Sequence, residues 1–138
     1  MQFMYSMERF ATAVYKVQKG SFHNQDILEK MAYAVENEQE HAESLKARLI
    51  SLKKRPFALA FLFRFAGSMI GFASRCGGNK FALKAGVAIE KRAVKDYSYF
   101  LRTLVLDERT KLLIRRIIGD EERHIANWQD SLITLKRS

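Results

Sequence analysis

The chain has 138 residues, 48% of them apolar and only one a proline, which is the size of one domain with a sizeable core and suits long unbroken helices. Its 24 lysines and arginines against 15 acidic residues leave a net charge of +9. That favours an anionic surface or partner, but scattered basic residues, apart from Lys53-Lys54-Arg55, and the lack of helix-turn-helix, RNP or zinc-finger spacing argue against nucleic acid. The one cysteine, Cys76, excludes an internal disulfide and a Cys-x-x-Cys metal knuckle.

Four helices are predicted, over 2–19, 24–53, 79–105 and 108–136. Gly20 is expected to end the first in the left-handed conformation, Asn24 or Asp26 to cap the second, Asp107 to cap the fourth, and Pro56 to stop the second. Short turns join the first pair and the last pair, so each reads as an antiparallel hairpin. Residues 54–78 are too long for a tight turn. The fold class expected is all-α: a four-helix, ferritin-like bundle of two antiparallel hairpins joined by a long apolar crossover, in a single domain over 1–138.

Spacing by three and four gives each helix its inward face. These faces are Met4, Glu8, Ala11, Tyr15, Gln18 on the first helix and Met31, Ala34, Glu38, His41, Leu45, Leu49, Leu52 on the second. The third carries Ala82, Gly86, Glu90, Ala93, Tyr97, Phe100, Leu104, and the fourth Ile114, Ile117, Glu121, His124, Trp128, Leu132, Leu135. Each apolar face thus holds one glutamate, and two add a histidine one turn later. An unpaired buried carboxylate costs several kcal/mol, and no lysine or arginine lies on these faces. Two divalent metal ions would supply about +4 against four carboxylates, which makes Glu8, Glu38, His41, Glu90, Glu121 and His124 the expected ligands.

The spacing sharpens that reading. Glu-x-x-His occurs at Glu38/His41 and Glu121/His124, using two of three histidines, and each half carries a tyrosine seven residues after its first glutamate, Tyr15 and Tyr97. The halves are offset by 82 or 83 residues, an internal repeat of pseudo-two-fold character. Two glutamates plus two Glu-x-x-His pairs form the ligand set of di-iron and di-manganese carboxylate bundles. Two iron ions are expected, with manganese or zinc as alternatives. Glu90 is expected to bridge the two ions, and Tyr15 and Tyr97 to bond ligating carboxylates. Glu36, Glu40, Asp120 and Glu122 read as solvated helix faces, His23 as a solvated turn residue, Trp128 as packing, and Cys76 as a bystander.

In order along the chain stand Glu8, Ala11, Tyr15 and Gln18; Glu38-Gln-Glu-His41 running to Arg55-Pro56; a glycine-containing apolar crossover; Ala88-Ile-Glu90 with Tyr97; and Asp120-Glu121-Glu-Arg-His124. Over nearly its whole length this resembles the demethoxyubiquinone hydroxylase family, within the ferritin-like and rubrerythrin group. The resemblance implies metal ligation by the same six residues and O₂-dependent hydroxylation of a lipophilic quinone, with an external electron donor. A rubrerythrin-like peroxidase or a ferroxidase would use the same ligands.

No signal peptide is expected, and Phe57 to Ala73, interrupted by Arg64, falls short of the ~20 apolar residues of a spanning helix. A cytoplasmic location is expected, with peripheral contact at the inner face of the membrane through 57–76. Burial of that segment against the bundle, or in a homodimer interface, stays open beside it.

Overall fold

The structure, a computed structural model, describes residues 1–137, with Arg137 by its backbone alone. Five helices follow one another: α1 Gln2–Lys19, α2 Gln25–Ser51, α3 Ala60–Cys76, α4 Asn79–Thr103 and α5 Glu108–Arg137. Four form the expected bundle of two hairpins, α1/α2 and α4/α5. The crossover itself is a regular helix, α3, lying on α1.

Local chemistry sets the helix ends. The Asn24 side chain accepts from the Ile27 N–H at the start of α2, and Asp107 accepts from the Thr110 N–H at the start of α5. The left-handed stop falls at a different place from the one expected. Gly20 is right-handed at φ −69°, because the chain turns through Ser21 and buries Phe22 rather than reversing at the glycine. Lys53 takes the left-handed conformation at φ 55°. There the Lys54 N–H reaches the Leu49 carbonyl and the Lys53 N–H the Ile50 carbonyl, the paired bonds of a Schellman ending.

The predicted inward faces are buried except at their ends. Leu52 and Leu104 are exposed, since each follows the last helical residue of α2 or α4 and has left the face. Two apolar clusters fill the interior. One gathers Met4, Leu45, Leu49, Tyr97, Ile114 and Ile117; the other gathers Val14, Tyr15, Ile27, Met31, Leu83 and Trp128. Each fully buried large aliphatic side chain stabilises the fold by about 1.5–3 kcal/mol. The carboxylates lie in a polar layer between these clusters.

Contacts along the chain fix the directions. Tyr97 meets Glu8 and Tyr15 meets Glu90, so α4 runs antiparallel to α1. Lys30 meets Asp130 and Arg48 meets Thr110, so α5 runs antiparallel to α2. α3 runs parallel to α1 and carries the chain back to the end where α4 begins. Its inner face is small: Ala60, Gly67, Gly71 and Ser74 are buried. A Cβ at Gly67 would stand 2.4 Å from the Phe10 carbonyl oxygen, and one at Gly71 2.8 Å from that of Val14. The Gln18 side chain then ties the helices together, donating to Ser74 Oγ and to the Ala82 carbonyl. Because only small residues fit against α1, the bulky ones point outward. Phe61, Leu62, Phe65, Met69, Ile70 and Phe72 are exposed. Among the described residues no helix is long and apolar enough to cross a membrane.

Candidate metal centre

The helical repeat brings Glu8, Glu38, His41, Glu90, Glu121 and His124 from four helices to one place, all at most 1% exposed. Their ligand atoms form two clusters. Glu8, Glu38, His41 and Glu121 make one; Glu38, Glu90, Glu121 and His124 make the other; within each cluster the atoms lie within 4.8 Å of one another. Glu38 and Glu121, from the two Glu-x-x-His pairs, belong to both. Glu121 shows how: Oε1 is 3.3 Å from His41 Nδ1 and Oε2 is 3.0 Å from His124 Nδ1. Glu90 belongs to one cluster alone, so the expectation that it bridges is corrected. A glutamate three residues before its own histidine, on a helix facing the other Glu-x-x-His helix, sits between both imidazoles, whereas α1 and α4 each reach only the nearer one.

The atoms converge at ion-pair distance without well-formed hydrogen bonds. Glu38 Oε1, both carboxylate oxygens of Glu121, His41 Nδ1 and both ring nitrogens of His124 are buried with no hydrogen-bond partner among the described residues. His124 Nδ1 is crowded at once by Glu38 at 3.2 Å, Glu90 at 3.4 Å and Glu121 at 3.0 Å. Lone pairs aimed at a common point rather than at one another suit cations placed between them. Carboxylate oxygen with imidazole nitrogen is a donor set for iron, manganese or zinc, so the residues fit a pair of metal ions.

Without metal, protons must do part of that work. Burial opposes charge on His41, but Glu121 and Glu8 outweigh it and push the imidazole up to about 11. The same balance, with Glu121 and Glu90, takes His124 to about 9. Burial and the neighbouring Glu121 carboxylate raise Glu38 well above the carboxylate range and Glu90 to about 7. Burial would raise Glu121 too, but His124 and His41 hold it below its ordinary value.

The tyrosines act across the repeat. Tyr15 of α1 donates to Glu90 Oε1 of α4, and Tyr97 of α4 donates to Glu8 Oε1 of α1. Burial and then the adjacent carboxylates raise both phenols well above their ordinary range, which keeps them protonated as donors. Trp128 is fully buried, its ring 5.4 Å from that of Tyr15, as its reading as packing requires. Glu36, Glu40, Glu122, His23 and Cys76 are exposed.

Asp120 corrects the reading of its helix face as solvated. It is buried, and its Oδ2 is 3.0 Å from His41 Nε2, while Arg123 approaches its other oxygen at 3.0 Å. The bond from the outer nitrogen turns His41 Nδ1 inward toward Glu8 and Glu121. Its signal was available: Asp120 stands three residues after Ile117 and four before His124, on the edge of the buried face.

A helical bundle with two buried carboxylate–imidazole clusters sharing two glutamates belongs to the ferritin-like class built to hold metal pairs. The comparisons narrow that class. Residues 5–131 match the family "Ubiquinone biosynthesis protein COQ7", and the chain belongs to that family. A 3-demethoxyubiquinol 3-hydroxylase of Cupriavidus pinatubonensis is 30% identical over 115 residues, which is 83% of this chain and 56% of that protein. The chain therefore spans little more than half the length of this relative.

Proposed function

We propose that the chain is a di-iron oxidoreductase that uses O₂ to hydroxylate the ring of a demethoxyquinol in ubiquinone biosynthesis. The carrying observation is the pair of buried clusters sharing Glu38 and Glu121, in a chain of the ubiquinone-biosynthesis family. Glu8, Glu38, His41 and Glu121 would hold one ion, and Glu38, Glu90, Glu121 and His124 the other. Bound there, two irons would supply the electron exchange with dioxygen that ring hydroxylation needs. Tyr15 and Tyr97 hold the outer carboxylates Glu90 and Glu8, Asp120 holds His41, and the apolar clusters on either side keep bulk water from the polar layer. Electrons come from an external donor, a reduced nicotinamide or the quinol.

A polyprenyl quinone is confined to lipid, and the outward face of α3 is where the chain would meet it. Phe61, Phe65 and Phe72 are each at least 60% exposed. Beside them a groove of about 350 Å³ between α1, α2 and α3 is lined by Arg9, Lys16 and Arg64, with Glu43 on its α2 side. An apolar face edged by cations suits the surface of an anionic bilayer, with the net charge of +9 acting in the same sense.

The test is iron reconstitution followed by reaction with a short-chain demethoxyquinol, O₂ and a reductant. A hydroxylated quinol is the expected product. Rapid oxidation of the reduced site by peroxide, with no quinol product, would replace this reading with a peroxidase, and iron turnover without organic product with a ferroxidase. For the membrane face, co-sedimentation with anionic vesicles is expected. It should weaken when Phe61 and Phe65 become serine; equal binding by the folded double variant would refute that face.

A further inference from the structure

The two halves of the site are alike in their ligands and unlike in what stands behind the imidazoles. α2 and α5 lie antiparallel, and in their register His41 of α2 meets Asp120 of α5 through Nε2 at 3.0 Å. One turn back along α2 and one turn on along α5, the same register sets Asn37 opposite His124. The sequence repeats accordingly: Asn37 precedes Glu38 and His41 just as Asp120 precedes Glu121 and His124. Asn37 is 8% exposed and His124 fully buried. Asn37 Oδ1 and His124 Nε2 are both buried without a hydrogen-bond partner among the described residues. One is an acceptor; the other becomes a donor once Nδ1 keeps its lone pair for a metal. Trp128, whose indole N–H also lacks a partner among the described residues, is only a donor and cannot accept that proton.

We propose that Asn37 is the positioning residue of His124: with a metal ion held on Nδ1, its amide oxygen would accept the Nε2–H, a bond not made in the structure as it stands, and would keep Nδ1 unprotonated toward Glu38, Glu90 and Glu121. This rests on the metal-pair reading above. The outcome is a built-in inequivalence. A carboxylate behind His41 makes that imidazole the stronger donor, while a neutral amide behind His124 orients its ring but adds less basicity. The ion on the Glu8–His41 side is therefore held more tightly than the one on the Glu90–His124 side.

Titration of the metal-free protein with Co²⁺, followed by calorimetry and by the visible spectrum, tests this. The wild type is expected to bind two ions in two unequal steps. Asn37→Leu should weaken only the second step, by roughly 10–100-fold. Asn37→Asp should restore that step and narrow the gap to the first. In proton NMR of the Co²⁺ form, one of two exchangeable imidazole N–H signals should be lost to solvent exchange in Asn37→Leu alone. Far-UV circular dichroism of the metal-free variants checks folding, and if the leucine variant fails to fold, Asn37→Ser and Asn37→Asp carry the comparison. Two unchanged steps in the leucine or serine variant, or an aspartate variant with the gap undiminished, overturns the role of Asn37 and leaves the metal pair standing. A wild type that takes up no pair of ions overturns both.

Discussion

Gly67→Ala tests the contact that turns the bulky side of α3 outward. The new Cβ would lie 2.4 Å from the Phe10 carbonyl oxygen and 3.1 Å from Ala13 Cβ. Carbon–oxygen contacts settle near about 3.3–3.6 Å, so α3 must withdraw from α1 by roughly 1 Å. A gap of that size forfeits about a quarter to a half of the dispersion attraction across it, and overpacking of this kind costs about 1–3 kcal/mol. Alanine returns about 0.5–1 kcal/mol through its better helix propensity. The net loss is about 1–2 kcal/mol, a fall in Tm of roughly 3–8 °C for a chain this long. Gly71→Ala meets the Val14 carbonyl oxygen at 2.8 Å and should shift Tm the same way by less. Gly119→Ala, on the exposed side of α5 with none of the described residues within 4 Å of its Cβ, isolates the propensity gain and should raise Tm by roughly 2–4 °C. Thermal melts by circular dichroism measure all three. A Gly67→Ala protein melting at or above the wild type would refute the close backbone contact, and with it the reason the phenylalanines of α3 face outward.

Shared and unshared ligands separate by metal content. Glu121→Ala should lose both ions, whereas Glu90→Ala should keep the ion on the Glu8–His41 side; elemental analysis after desalting decides, an ion kept by Glu121→Ala contradicting the sharing by Glu121 and loss of both ions from Glu90→Ala contradicting the place of Glu90 in one cluster alone. Tyr97→Phe removes the donor to buried Glu8 and should cost about 1–3 kcal/mol in urea unfolding of the metal-free protein; a change below about 0.5 kcal/mol would show that the bond contributes nothing. With His41 raised to about 11, His124 to about 9 and Glu90 to about 7, the metal-free fold binds more protons at these groups than the unfolded chain does. Their contribution is fully present below the unfolded values and is lost as pH rises, from Glu90 through about 7 and from the imidazoles through about 9 to 11. Metal must displace the same protons, so its affinity should rise with pH and binding should release protons. Calorimetry in buffers of different ionisation enthalpy measures that release, and an affinity flat between pH 6 and 9 would refute it.

Much of the centre was legible in the sequence because a helix repeats at a fixed angle. A glutamate at an apolar position of α1, α2, α4 or α5 can only point inward, and His41 and His124 one turn later must share its direction. The Asn24 and Asp107 caps were legible for the same local reason. What needed the tertiary structure was everything set between helices. Whether Glu90 or Glu121 lies between the two imidazoles depends on which helices face each other, and the spacing within one helix carries no such information. Asp120 looked solvated on its own helix and is buried because α2 brings His41 over it. The left-handed ending went to Lys53 rather than Gly20 because burying Phe22 decided how the first turn closed. α3 shows the limit most plainly. Its composition announces apolar bulk, but only the approach of the α1 backbone reserves the inner face for Gly67 and Gly71 and leaves Phe61, Phe65 and Phe72 outside. Periodicity fixes which residues share a face; the distance to the neighbouring helix decides which face is buried.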